Sequence, residues 1–146
     1  MSVYQNEVSK LLKHLLLKYE TQVTQVKNHS IGLDQLSILE IDLLERLSNF
    51  DEVTQKELVN GFEFKRAKSE ACVKRLLKAR LIKKVTNPKD KRSNWLVLSE
   101  SGKKLLNNYQ VHEDAFITFV LKDMTVNEEK TIVKFLSKIN QTDYLK

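Results

Sequence analysis

Twelve of the chain's 25 lysine and arginine residues crowd between Lys65 and Arg92, where Glu70 and Asp90 are the only acids. That leaves 13 of the 25 cations and 17 of the 19 acids for the rest, so a cationic segment sits in a mildly acidic body. The chemistry open to such a segment is neutralisation of a polyanion, with ammonium and guanidinium groups meeting phosphate or carboxylate oxygens. A charge run on one helix is ordinarily a solvated face. Here the excess continues past one helical stretch into a turn-rich segment, which favours a polyanion-binding face.

Other chemistries lack their residues. His14, His29 and His112 are scattered, and His112-Glu113 near Asp114 does not gather the four ligands a metal would need, so no metal or other cofactor is expected. A Ser-His-Asp arrangement, a glycine-rich phosphate loop and an H-E-x-x-H motif are all missing, which argues against an enzyme. The single cysteine, Cys72, excludes an internal disulfide and a multi-cysteine zinc site. With no second cysteine to resolve it and an inward position on its helix, it reads as structural rather than as an oxidant sensor. No stretch approaches the roughly 18 apolar residues of a membrane span and no signal-type run opens the chain, so a cytoplasmic location is the expectation.

The cations need a scaffold. A 41% hydrophobic content suits an ordinary soluble fold, and three glycines with one proline leave few breakers, so a mainly α chain is expected. Val8, Leu11, Leu12, Leu15, Leu16, Tyr19, Val23 and Val26 recur every three or four residues and predict one long amphipathic helix. Residues 28–36, with Gly32, read as a loop. Ser37-Ile-Leu-Glu40 is a capping-box pattern that opens a helix with Ile38, Ile41, Leu44 and Leu47 inward. A second such pattern, Thr54-Gln-Lys-Glu57, starts a short helix carrying Leu58, Val59 and Phe62 and stopping near Gly61. FKRAKSEACVKRLLKARL, residues 64–81, follows as a helix with Cys72, Val73, Leu76 and Leu77 inward.

The apolar period then shortens from about 3.6 to 2. LIKKV and NWLVL, separated by the turn-rich NPKDKRS, predict a β-hairpin with a loop of about seven residues, in which Trp95 packs the hairpin against the body. Helix resumes from Ser99 with Leu105, Leu106, Tyr109, Ala115, Phe116, Phe119 and Val120. Thr125-Val-Asn-Glu128 opens a last helix bearing Ile132, Val133, Phe135, Leu136 and Ile139.

Helix, helix, hairpin is the order of a winged helix-turn-helix, here residues 37–98. Terminal helices flank it over residues 1–28 and 99–146. The small central unit cannot cover both terminal stripes, whereas a second copy related by a two-fold axis would, so a homodimer is expected. Two cationic units so related would reach half-sites roughly 34 Å apart on a DNA duplex.

TQKELVNGF and VKRLLKARLIKKVTNPKDKRSNWLVLSESGKKLL resemble the DNA-binding core of the MarR family of bacterial transcription regulators. That family's "L-x-x-x-G-L-I" and "D-x-R-S…L-T-x-x-G" stand here as LLKARLI at 76–82, Asp90-Lys91-Arg92-Ser93, and Leu98-Ser99-Glu100-Ser101-Gly102. The match covers roughly residues 54–106. Arg80 replaces the family's glycine after the recognition helix, so that helix is expected to end without glycine's left-handed cap. Glu63 replaces another glycine in the preceding turn, with Gly61 two residues earlier.

The resemblance implies a site. Lys65, Arg66 and Lys68 stand where the recognition helix enters the major groove and can bond guanine O6 and N7. Glu70 fits either a cytosine amino group or an i,i+4 pair with Lys74. Lys74 and Arg75 suit phosphate, and Ser69 and Ser93 complete the contact set. On the wing, Arg92 suits a narrow minor groove, Asp90 holds the loop or orients Arg92 by an ion pair, and Lys89 and Lys91 flank them as phosphate contacts.

The function implied is a dimeric, sequence-specific double-stranded DNA-binding regulator acting on a pseudo-palindromic operator, most often a repressor in this family. A small-molecule effector is the expected further partner, with Tyr19, Tyr109, Phe116 and Phe119 as candidate pocket residues. An aromatic stripe at helical spacing is also what a plain core looks like. The alternative is a protein-interaction or antirepressor module that keeps the fold without binding DNA.

Overall fold

The computed structural model describes residues 1–19, 25–28, 33–60 and 66–141. The starts of α1, α2, α3 and α6 follow from local bonds. In α1 (Val3–Lys18) Ser2 Oγ accepts from the Gln5 N–H, and the Gln5 side chain returns the bond. In α2 (Ile38–Asn49) Ser37 and Glu40 do the same at 3.1 and 3.0 Å. Thr54 and Glu57 open α3 (Gln55–Asn60), and Thr125 and Glu128 open α6 (Val126–Gln141), so all three boxes expected from the sequence form. At the last of these the Thr125 backbone N–H, and then its hydroxyl, hold the Glu128 carboxyl below the usual carboxylate range.

The N-terminal segment departs from expectation. α1 stops at Lys18, and the chain turns to strands β1 (Gln25–Asn28) and β2 (Leu33–Gln35), which pair antiparallel with Gln25 opposite Gln35 and Asn28 opposite Leu33. Val26, expected on the helix, is therefore in a strand, and part of the expected loop is one too. Val23 and Gly32 lie outside the described residues, as do Gly61, Phe62 and Glu63. The physical reason is visible in TQVTQV, where four of six residues are β-branched and favour a pleated backbone over helix.

The core gathers around α2 and α4 (Arg66–Lys78). Leu39, Ile41, Leu43, Leu44 and Leu47 of α2 are buried, with Val73 and Leu76 of α4. Ile38, expected inward, is exposed; the inward face of α2 begins one residue later. The wing is a three-stranded antiparallel sheet in the order β3-β5-β4, with β3 (Val53–Thr54) an addition to the expected hairpin of β4 (Ile82–Thr86) and β5 (Asn94–Leu98). Thr86 pairs with Asn94 across a tip of residues 87–93, as the hairpin reading required. β3 places Thr54 opposite Trp95 and so ties the start of α3 to the wing.

α4 ends in a left-handed cap after all, because Arg80 itself adopts φ 59°. The Arg80 N–H donates to the Leu77 carbonyl (3.0 Å) and the Leu81 N–H to that of Leu76 (3.1 Å), the bond pair of a Schellman ending. Leu76 and Leu81 are both fully buried, which offsets the backbone cost. The same turn meets the start of α5 (Glu100–Leu121). Ser99 donates its N–H to the Leu81 carbonyl (3.0 Å), its hydroxyl lies 2.7 Å from the Arg80 carbonyl, and that hydroxyl oxygen accepts the Gly102 N–H (3.0 Å). Gly102 is required here because a Cβ would overlap the Leu81 carbonyl oxygen.

The chain divides into two compact units, Met1–His112 and Glu113–Lys146, with α5 running through the boundary. Neither α1 nor α6 buries a residue. Val8, Leu11, Leu15 and Leu16 of α1 and Val133, Phe135, Leu136 and Ile139 of α6 are all exposed.

Two substitutions at the α4–α5 junction should act in opposite directions. Gly102→Ala is expected to lower the unfolding free energy by about 1–3 kcal/mol or more through overpacking against backbone. Arg80→Gly should raise it by up to about 1 kcal/mol, the relieved left-handed strain less glycine's extra chain entropy. Urea unfolding midpoints at unchanged slope check both.

Candidate nucleic-acid interface

The face that α4 turns to the core decides which of its side chains can reach a ligand. Ser69, Val73 and Leu76, spaced four and three apart, are buried together, leaving Lys68, Glu70 and Lys74 exposed on the other side. Ser69 is 0% exposed and thus drops out of the expected contact set: a hydroxyl with no accessible surface has nothing to offer a groove. Arg66 begins the helix, while its side chain and all of Lys65 lie outside the described residues. Arg75, expected on phosphate, keeps 46% of its side chain exposed, and its Nη1 donates to Glu40 Oε1 at 2.5 Å. Burying the Glu40 carboxylate makes such a partner necessary.

The wing tip is held by its own side chains. Asn87 is nearly buried; its Oδ1 accepts the Lys89 N–H (2.9 Å) and its amide lies 3.4 Å from the Ser93 hydroxyl. Asp90 Oδ1 accepts the Arg92 N–H (3.0 Å) while its carbonyl accepts from the Ser93 N–H (3.2 Å). Of the two roles expected for Asp90, the structure shows the first, bracing the loop through the backbone of Arg92 rather than pairing with its guanidinium. Lys89, Lys91 and Arg92 are exposed on this braced turn. The Ser93 hydroxyl oxygen accepts from the Asn87 amide.

Alternation along β4 sorts the remaining cations onto two faces. Lys83 and Val85 line a groove against the start of α5. Lys84 instead lines a groove of about 420 Å³ together with Thr54, Lys56, Arg92, Ser93 and Asn94. Three cations and no acid line that second groove, beside the wing tip. Neither Lys56 nor Lys84 is among the residues that the sequence singles out for the site. Lys84 was one cation among twelve with nothing to give its direction, and Lys56 lay outside the cationic window; only the pairing of β3 with β5 brings it to the wing.

No family model matches the chain, and no curated protein does. Solved structures do. The Streptococcus pneumoniae FabT structure in complex with DNA is similar with a TM-score of 0.74 at 15% identity, over 94% of this chain and 93% of that one. The Streptococcus pyogenes adhesin competence repressor AdcR gives 0.68 at 20% identity over 95% and 96%. A crystal structure of MarR gives 0.65 at 16% identity, again over 95% and 96%. The chain has the MarR fold. In it, α3 and α4 are the helix-turn-helix pair and β3, β5 and β4 form the wing.

The other candidates take plainer places in this MarR fold. Cys72 is half-buried, and burial followed by the nearby Glu40 carboxylate pushes its thiol up, against smaller opposing effects of Ser37, Lys68 and Arg75. A protonated thiol is a poor nucleophile. The hydroxyls of Tyr19 and Tyr109 meet at 3.1 Å, with Tyr109 buried, so these two expected pocket residues do come together. Phe116 and Phe119 belong to the second unit; Phe119 is exposed, and the Lys122 ammonium lies 4.8 Å from its ring centre. Among the described residues no group of three or more His, Cys, Asp or Glu is placed to hold a metal.

Alkylation of Cys72 by iodoacetamide is expected to be slower in the folded protein than in the urea-unfolded chain at the same pH. Equal rates would mean that its surroundings do not restrain the thiol.

Proposed function

We propose that the chain is a sequence-specific double-stranded DNA-binding transcription regulator, acting as a homodimer on a pseudo-palindromic operator. The observation that carries this reading is the groove beside a braced wing tip whose three charged side chains are all cations, in a fold whose helix-turn-helix turns Lys68 and Lys74 outward. Lys68, near the start of α4, is the described side chain best placed for base edges, and Arg92 for the minor groove. Lys74, Lys89 and Lys91, now joined by Lys56 and Lys84, serve as phosphate contacts. Lys65 and Arg66 extend this set by their place in the sequence. The FabT structure in complex with DNA supports the reading by likeness of fold.

The uncovered stripes of α1 and α6 support the dimer. Exposed apolar surface on this scale calls for a partner, and a second copy meets each stripe with its equal. The family resemblance adds repression, relieved by a small ligand, as the mode of regulation; the Tyr19–Tyr109 contact is the part of the candidate pocket that supports it. No helix among the described residues is long and apolar enough to cross a membrane.

Affinity for DNA from the region upstream of its own gene, measured against salt, tests the proposal. A steep loss is expected, with a log-log slope of about −0.9 per neutralised phosphate. A flat response is instead what a protein-interaction module would give. Arg92→Ala should weaken binding strongly at unchanged melting temperature. Lys56→Ala and Lys84→Ala should each make the slope shallower by about 0.9 while leaving preference among sequences intact; Lys68→Ala should relax that preference.

A further inference from the structure

The Glu40 carboxylate is a buried charge spanning two elements. Its side chain is 2% exposed, and Oε1 accepts both the Ser37 N–H (3.0 Å), closing the α2 cap, and Arg75 Nη1 (2.5 Å) from α4. Oε2 receives no hydrogen bond. Elsewhere on the inward face of α4, Val73 and Leu76 are smooth apolar contacts, the buried Ser69 hydroxyl makes no hydrogen bond, and the Cys72 thiol adds a weak contact to the Ser37 side chain at the start of α2. Apolar burial is not directional and resists a small roll of a helix only weakly. The Glu40–Arg75 bond, by contrast, is short and charged, and it joins residues 35 positions apart.

A roll of about 20° about the axis of α4 would carry outward side chains about 2 Å sideways at a helix radius of roughly 5–6 Å. That exceeds what a bidentate bond to a base edge tolerates. Flexible lysines would still find phosphates. We propose that Glu40 is a positioning residue for sequence readout: its ion pair with Arg75 sets the roll of α4, and so governs discrimination between DNA sequences rather than overall affinity. The inference rests on the DNA-binding reading above. It also gives Arg75 an internal partner, with Nη1 committed to the Glu40 carboxylate.

The test compares the native protein with Glu40→Leu/Arg75→Leu, in which an apolar pair replaces the ions without leaving a buried charge unpaired. Glu40→Gln, which keeps size and the cap acceptor but loses the charge, is measured beside them. Each is titrated, over a range of salt, with the fragment the native protein selects from its own genome and with a scrambled fragment of equal length. The ratio of the two affinities is expected to fall about tenfold in the double variant, the size of one lost base contact, at an unchanged salt slope. In Glu40→Gln it should fall by a smaller factor at native melting temperature. That second variant decides the matter if the double variant does not fold. An unchanged ratio in a folded variant overturns the inference alone, as does a slope shallower by about 0.9 with the ratio intact, which would make Arg75 a phosphate contact. A native protein with no preference between the fragments overturns the DNA-binding reading and this inference with it.

Discussion

The carbonyl of Leu81 is the point at which α4, the wing and α5 are joined. It accepts the Ser99 N–H, lies 3.0 Å from the Ser99 hydroxyl, and leaves room beyond for nothing larger than the α-carbon of Gly102. Because Leu81 also closes the Schellman turn after α4 and leads directly into β4, one backbone group fixes three elements against each other. The left-handed Arg80 is what brings the chain round to it. An L-S-x-x-G sequence after a hairpin therefore has a mechanical meaning: the serine caps a helix and grips the preceding turn, and the glycine allows the approach.

Given that junction, the cationic surface is organised by side-chain direction rather than by charge density. The period of 3.6 in α4 buries Ser69 and exposes Lys68 and Lys74. The period of 2 in β4 sends Lys83 and Lys84 to different grooves. At the tip, Asn87 and Asp90 use their side chains on backbone N–H groups, which shapes the loop and leaves its cations outward. The two acids of the cationic segment thus differ in kind: Asp90 braces the wing loop through hydrogen bonds to its backbone, and Glu70 stands on the outward face of α4.

Buried polarity marks where the fold accepts cost. Glu40 Oε2 and the Ser69 hydroxyl are both enclosed without a hydrogen bond, each an expense of about 1–3 kcal/mol against the same groups solvated. Glu40 lies where α2 meets α4, and Ser69 lies on the buried face of α4. A wholly apolar contact there would be cheaper, and would hold the helix less specifically.

Much of this protein was legible in its residues. The three capping boxes, the wing tip at 87–93 and its brace at Asp90 depend on bonds between residues two to six apart, and the change of apolar period on a hairpin between neighbouring strands, so local pattern determined them. Even the departure at Gln25–Asn28 was local, at the end of a β-branched sequence whose threes and fours imitate a helix. What only the tertiary structure decided are meetings across long stretches of chain: Glu40 with Arg75, Lys56 with Lys84 and Arg92, Leu81 with Ser99 and Gly102, Tyr19 with Tyr109. The presence of a cation or a carboxylate in the sequence says what it can bond. Which partner it meets depends on strand order and helix packing, set by burial of the whole core, and that is why neither the Glu40–Arg75 pair nor the direction of Lys84 can be read from pattern alone.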